Sequence, residues 1–129
     1  MNSKWRDATK SGDLNIVCML LDAEIDINSL DEHGQTALMN AAHSGDVGLI
    51  QVLIQSGADL NHTAKYRLTA LMLAVISNHL EIVRLLVDAG ADMEIKGSKT
   101  PFDRTPLEYA QENGRAGIAS ILRKNAPNN

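Results

Sequence analysis

The fold is decided by residues 31–61, which read DEHGQTALMNAAHSGDVGLIQVLIQSGADLN. Its marker residues return 33 positions later: Thr-Ala-Leu at 36–38 is copied at 69–71, and Gly-Ala-Asp at 57–59 is copied at 90–92. A fixed step of this length is the signature of a repeat array, in which each copy is a small unit that buries its apolar face by stacking on the next. The sequence therefore predicts a solenoid.

Each copy carries the residues of a helical hairpin. Thr36, Thr69 and Thr105 stand where a side-chain oxygen can accept the free N–H groups of a first helical turn, and Glu108 can complete a capping box with Thr105. A residue that tolerates a left-handed conformation follows each first helix, and then comes a second apolar helix. The expected turn residues are Gly12, Gly45, Asn78 and Gly114, and the expected second helices are 14–21, 47–54, 80–87 and 116–122. The predicted fold class is all-α, a stack of helix-turn-helix hairpins joined by β-hairpin-like loops.

The chain divides into four units within a single domain, at about residues 1–30, 31–63, 64–99 and 100–129, which we call repeats 1 to 4. Thr105 follows Thr69 by 36 residues instead of 33, so three extra residues lie in the stretch 96–104. Arg123 takes the place of an apolar residue of earlier repeats, which predicts that the array ends there, and the polar tail at 125–129 favours a complete unit. One leucine per second helix is expected to be buried: Leu20, Leu53, Leu86 and Leu122.

These residues resemble the ankyrin repeat, whose pattern is D-x-x-G-x-T-P-L-H-x-A-A, then G, an apolar helix and G-A-D-V-N. The matching residues are Asp31, Gly34, Thr36, Leu38, Ala41, Ala42, Gly45, Leu53, Gly57, Ala58, Asp59 and Asn61. The hairpin glycine of the pattern is replaced by Arg67 and by Asp103 in the later repeats, and a positive φ at Arg67 would cost about 1 kcal/mol. Asn28 and Asn61 are expected to cap the loops. The resemblance implies a surface that binds another protein.

Composition limits the other classes of function. The net charge is −4, divided into −6 over residues 1–64 and +2 over residues 65–129. An acidic chain without a basic stripe is repelled by phosphates, so nucleic acid is not expected as a partner, although the basic second half keeps it as an alternative. No run approaches the roughly 18 apolar residues of a membrane span, and a lone Cys18 fits a reducing compartment. We therefore expect a cytoplasmic monomer without a membrane partner.

The resemblance places the binding surface on the loop tips and on the inner face of the first helices, which stacking does not consume. The candidate partner-binding residues are Glu32, His33, Gln35, His43, Lys65, Tyr66, Leu68, Ile76, Phe102 and Arg104. Tyr66, Leu68 and Ile76 could form an exposed apolar patch, or they could pack against neighbouring repeats. Phe102 could project from the insertion as a contact residue, or the insertion could be a tolerated loop extension. Asp31 and Glu32 at one end of the surface and Lys65, Arg67, Lys99 and Arg104 at the other would steer a partner of opposite polarity.

No pattern indicates catalysis. The sequence contains no phosphate-binding loop, nucleophile elbow or zinc-protease motif, and the four histidines lack the spacing of a metal site. No enzyme activity, cofactor or metal is expected. The remaining alternative to a protein-binding scaffold is a structural spacer or a fragment of a larger ankyrin array with no partner of its own.

Overall fold

Eight α-helices build the fold in a computed structural model that describes residues 1–126, and each predicted repeat contains one pair of them. The first helices of the pairs are α1 (Ser3–Ser11), α3 (Ala37–Ser44), α5 (Ala70–Ile76) and α7 (Pro106–Glu112), and the second are α2 (Leu14–Asp22), α4 (Val47–Gln55), α6 (Leu80–Asp88) and α8 (Ala116–Asn125). One 3-10 turn covers Lys65–Arg67, and the described residues contain no β-strand. None of their helices has the length and hydrophobicity that crossing a bilayer requires. The end of the predicted polar tail, residues 127–129, lies outside the described residues.

The first helices begin at the predicted side-chain caps. Thr36 and Thr69 each accept a hydrogen bond from the backbone N–H three residues later. Thr105 does the same, and the carboxylate of Glu108 accepts the N–H of Thr105 in return, which confirms the capping box. In α1 the capping residue is Asn2, whose side chain accepts from the N–H groups of Lys4 and Trp5. Each cap satisfies donors that the helix itself leaves free.

The turns inside the hairpins are left-handed at the four predicted residues. Gly12, Gly45, Asn78 and Gly114 have φ values of 74°, 88°, 60° and 70°. At Gly45 the absence of a side chain has a second reason, because a Cβ there would lie 2.7 Å from the imidazole of His79. The His79 ring uses this space to reach the carbonyl oxygen of His43 at 3.1 Å. The turn of one repeat is thereby tied to the turn of the next.

The helices form two layers, with α1, α3, α5 and α7 stacked in an inner layer and α2, α4, α6 and α8 in an outer layer. Leu53, Leu86 and Leu122 are buried between the layers as predicted, and Arg123 is exposed as predicted. Leu20 was expected to be buried too, but it is half-buried. Repeat 1 has a neighbouring repeat on one side only in this structure, so the outward side of α2 is not covered.

Asparagine side chains link the loops of successive repeats, which confirms the predicted capping role. Asn28 Oδ1 accepts the backbone N–H of Asp59, and Asn61 Oδ1 accepts that of Asp92, both at 2.8 Å. The carboxylates of Asp59 and Asp92 in turn accept the N–H two residues further on. The same contact is therefore made twice, one repeat apart, and it sets the spacing of the loops.

The loop tips of repeats 3 and 4 depart from the glycine pattern in different ways. Arg67, at the glycine position of the pattern, adopts a positive φ of 58°, and Tyr66 beside it has a φ of 61°. Asp103, which also stands at the glycine position of the pattern, is not left-handed. The insertion replaces the tight tip with a longer hairpin, which the N–H of Gly97 closes by donating to the carbonyl of Arg104.

Candidate functional site

A groove of about 340 Å³ lies between α1 and α3, on the inner side of repeats 1 and 2. Three of the predicted partner-binding residues line it: Glu32, His33 and His43. All three side chains belong to exposed residues. The structure thus brings together three of the four predicted residues of repeat 2, and Gln35 does not line the groove.

The acidic edge of this groove is held by Asp31. One carboxylate oxygen of Asp31 accepts the N–H groups of His33 at 2.8 Å and Gln35 at 3.0 Å, and the other accepts the Asn40 amide at 2.9 Å. Partial burial acts to raise the pKa of Asp31, but these three hydrogen bonds outweigh it and hold the pKa below its ordinary value. The tip of repeat 2 therefore presents a fixed negative charge.

The opposite wall of the groove is basic, and it was missed by the sequence analysis. Arg6, Thr9 and Lys10 of α1 face the groove from repeat 1. The repeat spacing contains a signal for this wall, because Lys10 stands 33 residues before His43, a predicted binding residue. The groove consequently carries both signs of charge across its width.

His43 also has a structural role. Its Nδ1 is hydrogen-bonded to the Ser77 hydroxyl at 3.1 Å, and its carbonyl oxygen receives the His79 ring at 3.1 Å. These contacts join the end of α3 to the end of α5 and to the start of α6. A change at His43 would therefore disturb the contact between repeats 2 and 3.

A second group of predicted residues meets at the tips of repeats 3 and 4. The ring of Phe102 lies between those of Tyr66 and Tyr109, with centroid distances of 6.4 and 6.3 Å. The ammonium group of Lys65 lies 5.0 Å from the centroid of the Tyr66 ring. Phe102 was considered as a side chain that projects from the insertion, but it is half-buried in this stack. Packing against two other rings stabilises an aromatic side chain more than exposure to water does.

Five of the predicted residues are half-buried or bonded within the molecule: Gln35, Tyr66, Leu68, Ile76 and Arg104. Leu68 is half-buried and packs against the core, Ile76 and Gln35 are half-buried, and Tyr66 is stacked on Phe102. Of the two interpretations left open for Tyr66, Leu68 and Ile76, this burial favours packing over an exposed apolar patch. Arg104 is engaged by Glu112, with both carboxylate oxygens 3.0 Å from its Nε, and by Asp103. The hydrogen bond to Glu112 and the nearby carboxylates raise the pKa of Arg104 above its ordinary value. Its charge is compensated within the molecule.

The large apolar side chains that are exposed lie mainly in repeat 1. They are Leu14, Ile16, Met19 and Leu30, with Leu80 further along the array, and Met19 is the most exposed at 68%. Ile16 and Met19 align with Leu49 and Val52 of repeat 2, which are buried or half-buried by stacking. The 33-residue alignment therefore contained the signal for this surface too.

The described residues show no arrangement for metal binding. Within residues 1–126, no three His, Cys, Asp or Glu side chains are grouped closely enough to hold an ion. The imidazoles of His43 and His79 contact a hydroxyl or backbone group of a neighbouring repeat, and that of His62 contacts the Gly34 carbonyl within repeat 2. Cys18 is exposed on α2 as a free thiol.

Comparison with known protein families identifies the repeat. A family model described as ankyrin repeats, in three copies, matches residues 6–97. A search of curated proteins found no matching relative. The family match therefore covers repeats 1 to 3 and stops where the insertion before α7 begins.

Proposed function

Since the chain belongs to the ankyrin-repeat family, we propose that it is a non-enzymatic scaffold that binds another protein through its inner surface and loop tips. Members of this family are generally protein-protein interaction modules and typically lack enzymatic activity. The proposal adds a location, the groove between α1 and α3. A single chain supplies both walls of this groove, so we propose that the protein acts as a monomer.

The observation that carries the proposal is the mixed charge of the groove. Arg6 and Lys10 line one wall, and Asp31 and Glu32 line the other. Opposite charges on facing walls select a partner by its own charge pattern, because a mismatched segment would place like charges together. Such a surface suits a polypeptide with both acidic and basic side chains better than a uniformly charged polymer. We accordingly propose neither nucleic acid nor a membrane as the partner.

A cytoplasmic location fits this function. The exposed thiol of Cys18 has no cysteine partner in the chain, and a free surface thiol persists most readily in a reducing compartment.

The alternative is a structural spacer or a part of a larger array. It is favoured by the exposure of Ile16 and Met19, because these side chains occupy positions that repeat stacking covers elsewhere in the chain. A spacer would contact its neighbours through its first and last repeats. Its binding would therefore not depend on the side chains of the groove. The two functions therefore differ in a measurable way.

The test is capture of partners from the native lysate by three forms of the protein. The groove variant is Arg6→Glu with Glu32→Lys, which exchanges the charges of two exposed side chains and leaves the net charge unchanged. The matched control is Glu81→Lys with Arg84→Glu, which exchanges an exposed ion pair on α6 in the outer layer. A protein that the wild type and the control capture, and that the groove variant loses, supports the proposal. If all three forms capture the same proteins, the groove is not the binding site.

A further inference from the structure

We propose that the tips of repeats 3 and 4 form a second contact site, which binds an acidic peptide segment of the partner. The site consists of Lys65, Tyr66, Arg67, Lys99 and Phe102, and we call it the basic tip cluster. The inference rests on the proposed function, since it names the chemistry of the segment that a protein partner would place there. It concerns a surface separate from the groove of repeats 1 and 2.

The insertion is fixed against the neighbouring repeat. The N–H of Ser98 donates to the carbonyl oxygen of Tyr66 at 2.8 Å, and Gly97 closes the hairpin by donating to Arg104. Above these bonds, the Phe102 ring stacks on Tyr66. The three extra residues thus add a packed extension to the tip of repeat 3, and this fixed position brings Lys99 next to Tyr66.

Two positive charges converge on the ring of Tyr66, beside this extension. The ammonium groups of Lys65 and Lys99 lie 5.0 and 5.3 Å from the centroid of Tyr66. The electron-rich face of an aromatic ring attracts a cation, so the Tyr66 ring favours positions of both lysines near it. None of the ion pairs formed within residues 1–126 includes Lys65, Arg67 or Lys99. The cluster therefore presents positive charge that the described part of the molecule does not neutralise.

Arg104 provides the contrast within the same loop. Its guanidinium is bound by Glu112 and Asp103, so it contributes no free charge. Arg104 thus stabilises the structure of the insertion, whereas Lys65, Arg67 and Lys99 form no ion pair within residues 1–126. An acidic segment can place one carboxylate near Lys65 and another near Lys99, which favours a ligand with several carboxylates over a single isolated anion.

The arrangement of the rings favours a peptide over single-stranded nucleic acid. Proteins that bind single strands offer free ring faces on which bases stack. Here Phe102 is enclosed by two rings, and Tyr66 is covered by Phe102 and by ammonium groups. A long polyanion would also meet the charge of −6 on residues 1–64. A short acidic segment avoids this repulsion because it can bind within the basic tip cluster alone.

The experiment is a titration of the isotopically labelled full chain with an octaglutamate peptide, followed by amide chemical shifts in solution NMR. A Gly/Ser peptide of equal length is the neutral control, and an oligothymidylate of equal length tests nucleic acid. We expect shifts in residues 65–68 and 97–104 that weaken as salt is added. The variant Lys65→Glu with Lys99→Glu should weaken binding of octaglutamate by at least about tenfold, because it turns attraction into repulsion. The matched control, Arg123→Glu with Lys124→Glu on α8, makes the same change in net charge and should preserve binding within about twofold.

Three results would overturn the inference. The first is the absence of shifts at the tips, and the second is an equal loss of binding in the α8 control, which would indicate an effect of net charge alone. The third is tighter binding of oligothymidylate than of octaglutamate at the same residues. Lysate capture with the Lys65/Lys99 variant separates this inference from the proposed function. A partner that this variant keeps and the groove variant loses leaves the proposed function standing and removes the tip cluster from it.

Discussion

Asn28 and Asn61 use their side-chain oxygens to hold the backbone of the following repeat. Each accepts an N–H at 2.8 Å, from Asp59 and Asp92 respectively. We expect Asn61→Ala to lower the free energy of unfolding by about 1 kcal/mol, since one hydrogen bond is lost at an exposed site. Urea unfolding monitored by circular dichroism measures the change. The control is Asn15→Ala, at an exposed position of α2, and equal stability of Asn61→Ala and the wild type would show that the contact does not stabilise the array.

Asp31 makes the stability depend on pH in a defined direction. Its pKa is lower in the folded protein than its ordinary value of 3.8. A carboxyl group whose pKa is lowered by folding stabilises the folded state at pH values above its ordinary pKa. This contribution is lost as the pH falls through the pKa of the folded state. We expect the wild type to be more stable than Asp31→Asn at pH 6, and the difference to close as the pH falls below about 4.

Urea unfolding of both proteins across this pH range tests the expectation. Asp88→Asn, at the exposed end of α6, controls for the removal of one negative charge. A stability difference between wild type and Asp31→Asn that stays constant down to pH 2 would contradict the assignment.

The sequence predicted the elements well where a local signal specifies them. The caps at Thr36, Thr69 and Thr105 and the left-handed turn at Asn78 depend on residues within a few positions, so propensity and geometry agree. Asp103 shows the limit of this reasoning. Asp103 stands at the glycine position of the pattern but is not left-handed, because the insertion gives this loop a different length and a different closing hydrogen bond.

Gly97 and Gly48 have different surroundings. Gly97 lies in the hairpin formed by the insertion, and Gly48 lies inside α4. A Cβ at Gly97 would collide with the backbone of Phe102, whereas a Cβ at Gly48 would lie 3.5 Å from Leu14, an ordinary contact. We expect Gly97→Ala to destabilise the protein by about 1–3 kcal/mol because the hairpin must open. We expect Gly48→Ala to stabilise it by up to about 1 kcal/mol because Gly48 lies inside α4. Thermal unfolding measures both, and equal effects of the two variants would show that the Gly97 hairpin is not closely packed.

The candidate site is a property of the whole array, and for this reason the sequence predicted only part of it. Repeat alignment identified Glu32, His33 and His43, but the groove also needs the wall supplied by Arg6 and Lys10 of the preceding repeat. The same alignment could not show that Arg104 is neutralised by Glu112, because that pair joins the insertion to the end of α7. Position in a repeat predicts where a side chain lies, whereas its partners depend on deviations from the repeat.

Burial is uneven along the array, so its stability should be uneven as well. In α2 only Val17 is buried, and Ile16 and Met19 are exposed, whereas α6 buries Ile82, Val83, Leu86 and Val87. In a linear array each repeat is stabilised by its own packing and by its immediate neighbours. Repeat 1 should therefore unfold before the centre of the molecule.

Trp5 reports on this order, because it is the only tryptophan and is fully buried in α1. We expect Trp5 fluorescence to change at a lower urea concentration than far-UV circular dichroism, which follows all eight helices. Val17→Ala, in repeat 1, should widen this separation. Ile118→Ala, in repeat 4, should cost about 2–5 kcal/mol of local packing and affect the dichroism more than the fluorescence. If the two signals coincide in the wild type and in both variants, the array unfolds as a single cooperative unit and repeat 1 is not its weakest part.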